Sequence, residues 1–339
     1  MDQLKVNCTE IEEKILNCSS PSKERQLNFV ILAVGMLLLS ATGFILNSIA
    51  SYILTFSLKT DSKFLKFVKI YTFNCMLINL NDTVITILTL TATGTTYNRG
   101  LDKFFTSEAY IIYFNYFGRN LWSLTYTFSS ILDLQIVYER ILLYLPSLRF
   151  LRLRSVSSIS FGMLAYTILL NIPLILTRDY EQHEFNFNGN TTVYVYFGKF
   201  KEYTYQEVFL SVFYVTIFLR DIVQLALDIL FNTTLIIVVI RYYRKRTLLS
   251  KELQVSNVAN KINLNKTKIA FIICLLSTIL QLTTALPILL SSLNLSRFFY
   301  VRLTQVVGLL GSLKHASNFF FLLKLNEKFA DIFWMKRGI

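Results

Sequence analysis

The chain has 339 residues, of which 53% are hydrophobic and only 16% charged, with a mean hydropathy of +0.48. A soluble domain of this size needs more polar surface than that to cover itself, so part of its apolar surface has to face lipid. The net charge of +13 would suggest nucleic acid only if the basic residues formed one patch, and they are instead sorted by side of a membrane; with four cysteines, two of them inside apolar runs, a disulfide scaffold is excluded as well.

Residues 1–28 read as an extracellular amino-terminal segment, with Cys8 and Cys18 as the one pair easily bridged. No cleavable signal is expected, because the first apolar run begins only at Phe29 and is long enough to stay as a spanning helix. Crossing about 30 Å of hydrocarbon takes about 20 helical residues. Segments of that kind run Phe29–Phe56, Ile70–Thr93, Ala109–Tyr144, Val156–Leu176, Val208–Ile240, Ile269–Ser291 and Phe299–Leu323. The fold expected is therefore an all-α membrane protein, a seven-transmembrane helix bundle over 29–325. A short amphipathic eighth helix and cytoplasmic tail follow at 326–339, where Phe329, Ile332 and Phe333 give an apolar side and Lys328, Lys336 and Arg337 reach lipid headgroups.

Lys and Arg near the segment ends set the orientation. Lys59, Lys63, Lys66 and Lys69 follow the first segment, Arg149, Arg152 and Arg154 the third, and Arg241, Arg244, Lys245, Arg246, Lys251, Lys261, Lys266 and Lys268 the fifth. All three loops lie on one side, which is then cytoplasmic, and the amino terminus is outside. The opposite side is neutral to acidic. Glycosylation acceptors at Asn7, Asn17, Asn190 and Asn294 fall on that outer side.

Ionisable groups in hydrocarbon cost several kcal/mol unless they face the bundle interior. In the third segment Asn115, Trp122, Tyr126, Ser129, Asp133 and Arg140 recur at helical spacing as one inward stripe. Its cytoplasmic end is Glu139-Arg140-Ile141. That pair resembles the acidic-Arg-aromatic signature of rhodopsin-like G-protein-coupled receptors. The end of the seventh segment is more specific: from Ser312 through Asn318-Phe319-Phe320-Phe321-Leu322 to Phe329 it is similar, without a gap, to the seventh and eighth helices of invertebrate neuropeptide receptors of this class. Asn318 falls on the motif's Asn, Phe319 on its Pro, Leu322 on its Tyr, and Phe329 on the aromatic that opens the eighth helix. Asn47 falls on the Asn of the first helix, Asp82 on the Asp of the second, and Pro287 on the proline that bends the sixth and serves as activation hinge.

The sequence departs from that family in four places. Asn115 stands where a cysteine usually staples the third helix to the second outer loop, Thr284-Ala285-Leu286 replaces the aromatic toggle before Pro287, the fourth segment has no Trp and the fifth no Pro.

The resemblance implies a plasma-membrane receptor that binds an extracellular ligand, activates a heterotrimeric G protein, contacts lipid and needs no cofactor, metal or nucleic acid. Trp122 replaces the amine-anchoring Asp, so an amine is disfavoured. Trp122, Tyr126, Arg220 and Asp221 form an aromatic and charged outer site suited to a peptide. Glu139 and Arg140, beside the basic Arg244, Lys245, Arg246 and Lys268, are the expected G-protein surface. Asn47, Asp82, Ser129, Lys314 and Asn318 form a central polar network; Asp82, Ser129 and Asn318 match oxygen ligands of the class's sodium pocket, and Lys314 is expected to replace sodium as the partner of Asp82, the alternative being a protonated Asp82. The competing reading is a seven-helix chemosensory ligand-gated channel or transporter with no G-protein coupling. An opsin is disfavoured by Ser312 at the retinal-lysine position and a zinc hydrolase by a chain whose only histidines are His183 and His315, so no enzyme is expected.

Overall fold

In the computed structural model the described residues are 23–58, 62–95, 113, 117–145, 155–176, 178–187, 191–200, 206–249, 267, 271–273, 275–276, 278–279 and 297–335. Six long helical stretches account for most of them. Helix α1 (Lys23–Tyr52) passes into a π-helical turn at Ile53–Ser57. It is followed by α2 (Lys63–Thr95), α3 (Arg119–Tyr144) and α4 (Val156–Leu176). Helices α5 (Gln206–Ile217) and α6 (Gln224–Leu249) are halves of one stretch joined by a π-helical turn at Phe218–Val223, whose flanking residues keep right-handed helical dihedrals. Helix α7 (Arg297–Leu325) runs into the short α8 (Glu327–Met335). The sixth apolar segment lies mostly outside the described residues; its helical residues include Phe271–Ile273, and Asn232 of α6 donates to Thr278 at 2.9 Å.

Three of the described helices are long and apolar enough to cross a membrane by composition: Ile31–Ser57, Val156–Pro173 and Tyr214–Tyr242. The others carry charged or strongly polar side chains. Polarity is distributed inside out. Leu38, Phe56, Phe161, Leu169, Tyr214 and Leu230 stand 60% or more exposed, whereas Asn47, Asn79, Ser129, Asp133, Asp228, Ser312 and Asn318 are at most 1% exposed. In water that arrangement would be costly on both counts; in lipid it is the stable one.

Helix limits differ from the apolar runs where polar residues continue the helix past hydrocarbon. Helix α2 starts at Lys63, not Ile70, because Phe64, Phe67 and Val68 are buried while Lys66 is exposed, and the Ser62 hydroxyl caps it by accepting from the Leu65 N–H at 3.2 Å. Helix α6 extends to Leu249 with Arg241 and Tyr242 exposed. Between α4 and α5 an antiparallel hairpin adds two strands to the helical class, β1 (Arg178–Phe187) and β2 (Thr191–Phe200), paired Arg178 to Phe200 through Phe187 to Thr191. Thr191-Thr192-Val193-Tyr194-Val195-Tyr196-Phe197 is a run of β-branched and aromatic residues behind Asn-Gly-Asn, which is hairpin chemistry.

The main core lies at the Lys63 end of α2. It joins Leu54, Phe64, Phe67, Tyr71, Ile136, Phe319, Leu322, Phe329 and Phe333 from α2, α3, α7, α8 and the π turn after α1. Helices α1, α2 and α7 approach closely at Gly43, where a Cβ would stand 2.8 Å from both Ala316 Cβ and the Asn79 side chain; small residues are what let membrane helices pack at this distance.

Candidate functional site

The polar residues buried among these helices form connected sets, and α3 passes through most of them. Next to the main core, α1, α2 and α7 are tied by amides. Asn47 Nδ2 donates to the Gly43 carbonyl in its own helix and to the His315 carbonyl of α7, each at 2.9 Å. Its Oδ1 accepts from Asn318 Nδ2 at 3.1 Å, and that nitrogen also donates to Thr72 Oγ1 at 3.0 Å. Residues drawn from three distant stretches thus share one buried set of bonds.

One helical turn away, Lys314 Nζ lies 2.7 Å from Asp133 Oδ2, with side chains 3% and 0% exposed. This corrects the expected pairing of Lys314 with Asp82, which instead accepts from Ser312 Oγ at 3.3 Å. The reason is helical geometry. Ser312 and Lys314 are two positions apart, about 200° around the axis, so the α7 face that offers Ser312 to Asp82 on α2 turns Lys314 towards α3. Of the five residues of the expected central network, Asn47 and Asn318 meet directly, Ser129 is fully buried one turn before Asp133, and Asp82 and Lys314 have separate partners.

The four expected ligand residues divide into two groups. Trp122 and Tyr126 stack at 4.9 Å between ring centroids, and Tyr126 meets His315 edge-on at 6.4 Å. They therefore face α7, where His315 Nδ1 also stands 3.5 Å from Cys75 Sγ of α2. Arg220 and Asp221 sit in the π turn on another side of α3. The guanidinium is bidentate to Asp221, with Nε to Oδ1 and Nη2 to Oδ2 both 2.8 Å, and donates from Nη1 to Ser123 Oγ at 3.2 Å. Ser123 in turn donates to Asn171 Oδ1 of α4 at 2.6 Å, and Asn171 Nδ2 donates to Thr127 Oγ1 at 3.3 Å. Wide π turns recur at functional positions in helices. Here the turn carries a closed ion pair to the junction of α3, α4 and α5.

At the far end of α3, Glu139 and Arg140 are 2% and 5% exposed. The Arg140 guanidinium carbon is 3.6 Å from the centroid of the Phe64 ring, a cation–π contact that covers it. Past α7, the Asn326 side chain caps α8 by accepting from the Phe329 N–H at 3.3 Å. Phe319, standing where the family motif has Pro, places its ring 5.9 Å from that of Phe329 and 5.3 Å from that of Phe333. Arg244, Lys245 and Arg246 lie in the last turns of α6.

Asn7, Asn17, Asn190, Asn294, Pro287, Lys268 and the Cys8–Cys18 pair fall outside the described residues. Among the described residues, no group of three or more His, Cys, Asp or Glu side chains could hold a metal ion. Asn171, Thr72, Ser123 and His315 were not picked out from sequence as members of the network. Asn171 was within reach of the rule applied to ionisable groups, being an amide in the otherwise apolar run Ile168–Ile175. The inward stripe on α3 was too narrow as well: Ser123, Thr125, Thr127 and Ser130, off that stripe, are 4–7% exposed, because helices pack on several sides of α3. No protein-family model matches this chain, and no curated protein matches it in sequence.

Proposed function

We propose that the chain is a seven-helix receptor of the plasma membrane with its amino terminus outside. It binds an extracellular ligand, a peptide rather than an amine, and activates a heterotrimeric G protein. The observation that carries this reading is the buried joint of Asn47, Thr72 and Asn318 with Lys314–Asp133 one turn away. It falls on the residues of the seventh segment that resemble rhodopsin-like receptors, and it links that segment to α1, α2 and α3. A joint built of a few directional bonds between otherwise apolar helices has discrete alternative arrangements, which is what a ligand-driven two-state bundle requires. The covered Arg140 fits the inactive arrangement: outward movement of the sixth segment about Pro287 would open the bundle at this end, where Arg140 could turn from Phe64 of α2 and meet the G protein beside the basic end of α6.

A peptide-library screen in cells with a calcium or cyclic-nucleotide readout tests the proposal. An agonist response in cells expressing the chain, lost in Arg140→Ala at equal surface expression, is the expected result. Agonist-evoked current that persists in Arg140→Ala and needs no G protein would instead favour the ligand-gated channel.

A further inference from the structure

Formal charge inside the bundle does not balance between the observed pairs. Arg220 is closed on Asp221 and Lys314 on Asp133. Asp228 of α6 is 0% exposed, and neither of its carboxylate oxygens has a hydrogen-bond partner among the described residues. Its position follows from the way α6 runs alongside α3 in the same direction. Gln224 Nε2 donates to the Ser130 carbonyl at 3.1 Å, the Phe231 and Tyr138 rings meet edge-on at 6.3 Å, and Leu235 packs with Val137. The same register brings Asp228 level with Asp133, the residue Lys314 pairs with.

Among the described residues no cation is hydrogen-bonded to Asp228. On α7, His315 is engaged with Cys75 of α2. On α2, Tyr71 and Cys75 are buried but neither can carry a positive charge, and Asp82 accepts from Ser312. The apolar run of α4 has no charged residue, and Ile269–Ser291 contains no Asp, Glu, Lys, Arg or His at all. Two carboxylates therefore share one ammonium. A second positive charge is needed, and a proton on one of the two carboxylates supplies it.

We propose that Asp133, Asp228 and Lys314 form an ammonium exchange site spanning α3, α6 and α7, in which one proton rests on whichever aspartate Lys314 does not pair with. In the arrangement seen here the proton is on Asp228. When Lys314 leaves Asp133 for Asp228, the Asp228 O–H bond breaks, its proton passes to Asp133, and the cluster stays neutral throughout. The exchange trades a bond between α7 and α3 for one between α7 and α6, so it couples helix packing to proton position. This needs the buried bundle only and holds whether or not the chain couples to a G protein.

Infrared spectroscopy of the purified full-length chain in lipid nanodiscs tests it, through the carbonyl band of protonated carboxylic acids. The wild type minus Asp228→Asn difference should contain such a band. Asp133→Asn should also lose it, because Lys314 then has only Asp228 to pair with and ionises it. Asp133→Asn/Lys314→Met should regain it. Because Asp82 is a second acid inside the bundle, with the Ser312 hydroxyl donating to it, the Asp228→Asn difference is also taken in an Asp82→Asn background, where it should be unchanged. A wild type minus Asp228→Asn difference that shows an ionised carboxylate and no acid band overturns the proposal. So does failure of Asp228→Asn to fold, since a neutral isostere of the protonated acid has to fit where that acid fits. If Asp133→Asn alone does not fold, the Asp228→Asn difference decides.

Discussion

At the scale of single residues the decisive quantity is the cost of charge in a bundle interior. Lys314 and Asp133 are at 3% and 0% exposure with 2.7 Å between the charged atoms, so neither retains water as an alternative partner. Removing the ammonium alone leaves a buried acid that must take up a proton or stay charged. Lys314→Met is therefore expected to lower stability by about 3 kcal/mol, the low end for breaking a buried pair. Lys314→Met/Asp133→Leu should recover most of it, because an apolar pair of similar volume carries no desolvation cost. Thermal unfolding in detergent measures both. Equal losses in the single and double variants would show that packing, not charge, dominates there. That Asp133 and Lys314 face inward was legible from the rule that lipid excludes them. Which acid Lys314 meets was not, since it depends on how α7 is rotated, and rotation is set by many weak contacts such as the close approach at Gly43.

At the scale of elements, legibility followed the strength of the local signal. Helix α4 was readable to its ends, Val156–Leu176, because Arg154 and Arg178 flank a run that has no charged residue. The eighth helix was readable from Phe329, Ile332 and Phe333. The structure puts Phe329 and Phe333 in the core and leaves Lys328 exposed. The π turn at Phe218–Val223 left no sequence signal: Arg220 and Asp221 marked the place but not the widened turn. The β1–β2 hairpin has a readable signal in the Thr-Val-Tyr alternation behind Asn-Gly-Asn, but it is too short and too polar to register as an apolar segment. Helix α8 separates two contributions that can be weighed. Asn326→Ala removes one capping bond and is expected to cost about 1 kcal/mol. Phe329→Ala empties a fully buried site between Phe319 and the π turn after α1, and should cost about 3–5 kcal/mol. Unfolding midpoints in the same detergent give the comparison, and a cap variant as damaging as the core variant would mean that α8 is held by its first turn rather than by its apolar face.

At the scale of the whole molecule, two independent asymmetries have to agree. One is lateral: apolar side chains point outward and amides and charges inward, which defines a membrane-spanning body without reference to direction. The other is axial. Lys63, Lys66 and Lys69 begin α2, Arg241, Arg244, Lys245 and Arg246 end α6, and the amino-terminal segment and the β1–β2 region carry the acids Asp2, Glu10, Glu12, Glu13, Asp179, Glu181 and Glu184. Positive charge is retained on the cytoplasmic side during insertion, so the start of α2 and the end of α6 should be inside. Both lie at the same end of the bundle as the Arg140 end of α3, which the main core joins to α8. An epitope placed before Lys23 should then be stained on intact cells, and one appended after Ile339 only after permeabilisation. Reversing the charge asymmetry by Lys63→Glu, Lys66→Glu and Lys69→Glu should raise the share of wrongly oriented chains. An amino-terminal epitope stained only after permeabilisation would leave the buried polar network and the ammonium exchange site in place. It would put Arg140 on the outer face, though, and the G-protein reading could not stand.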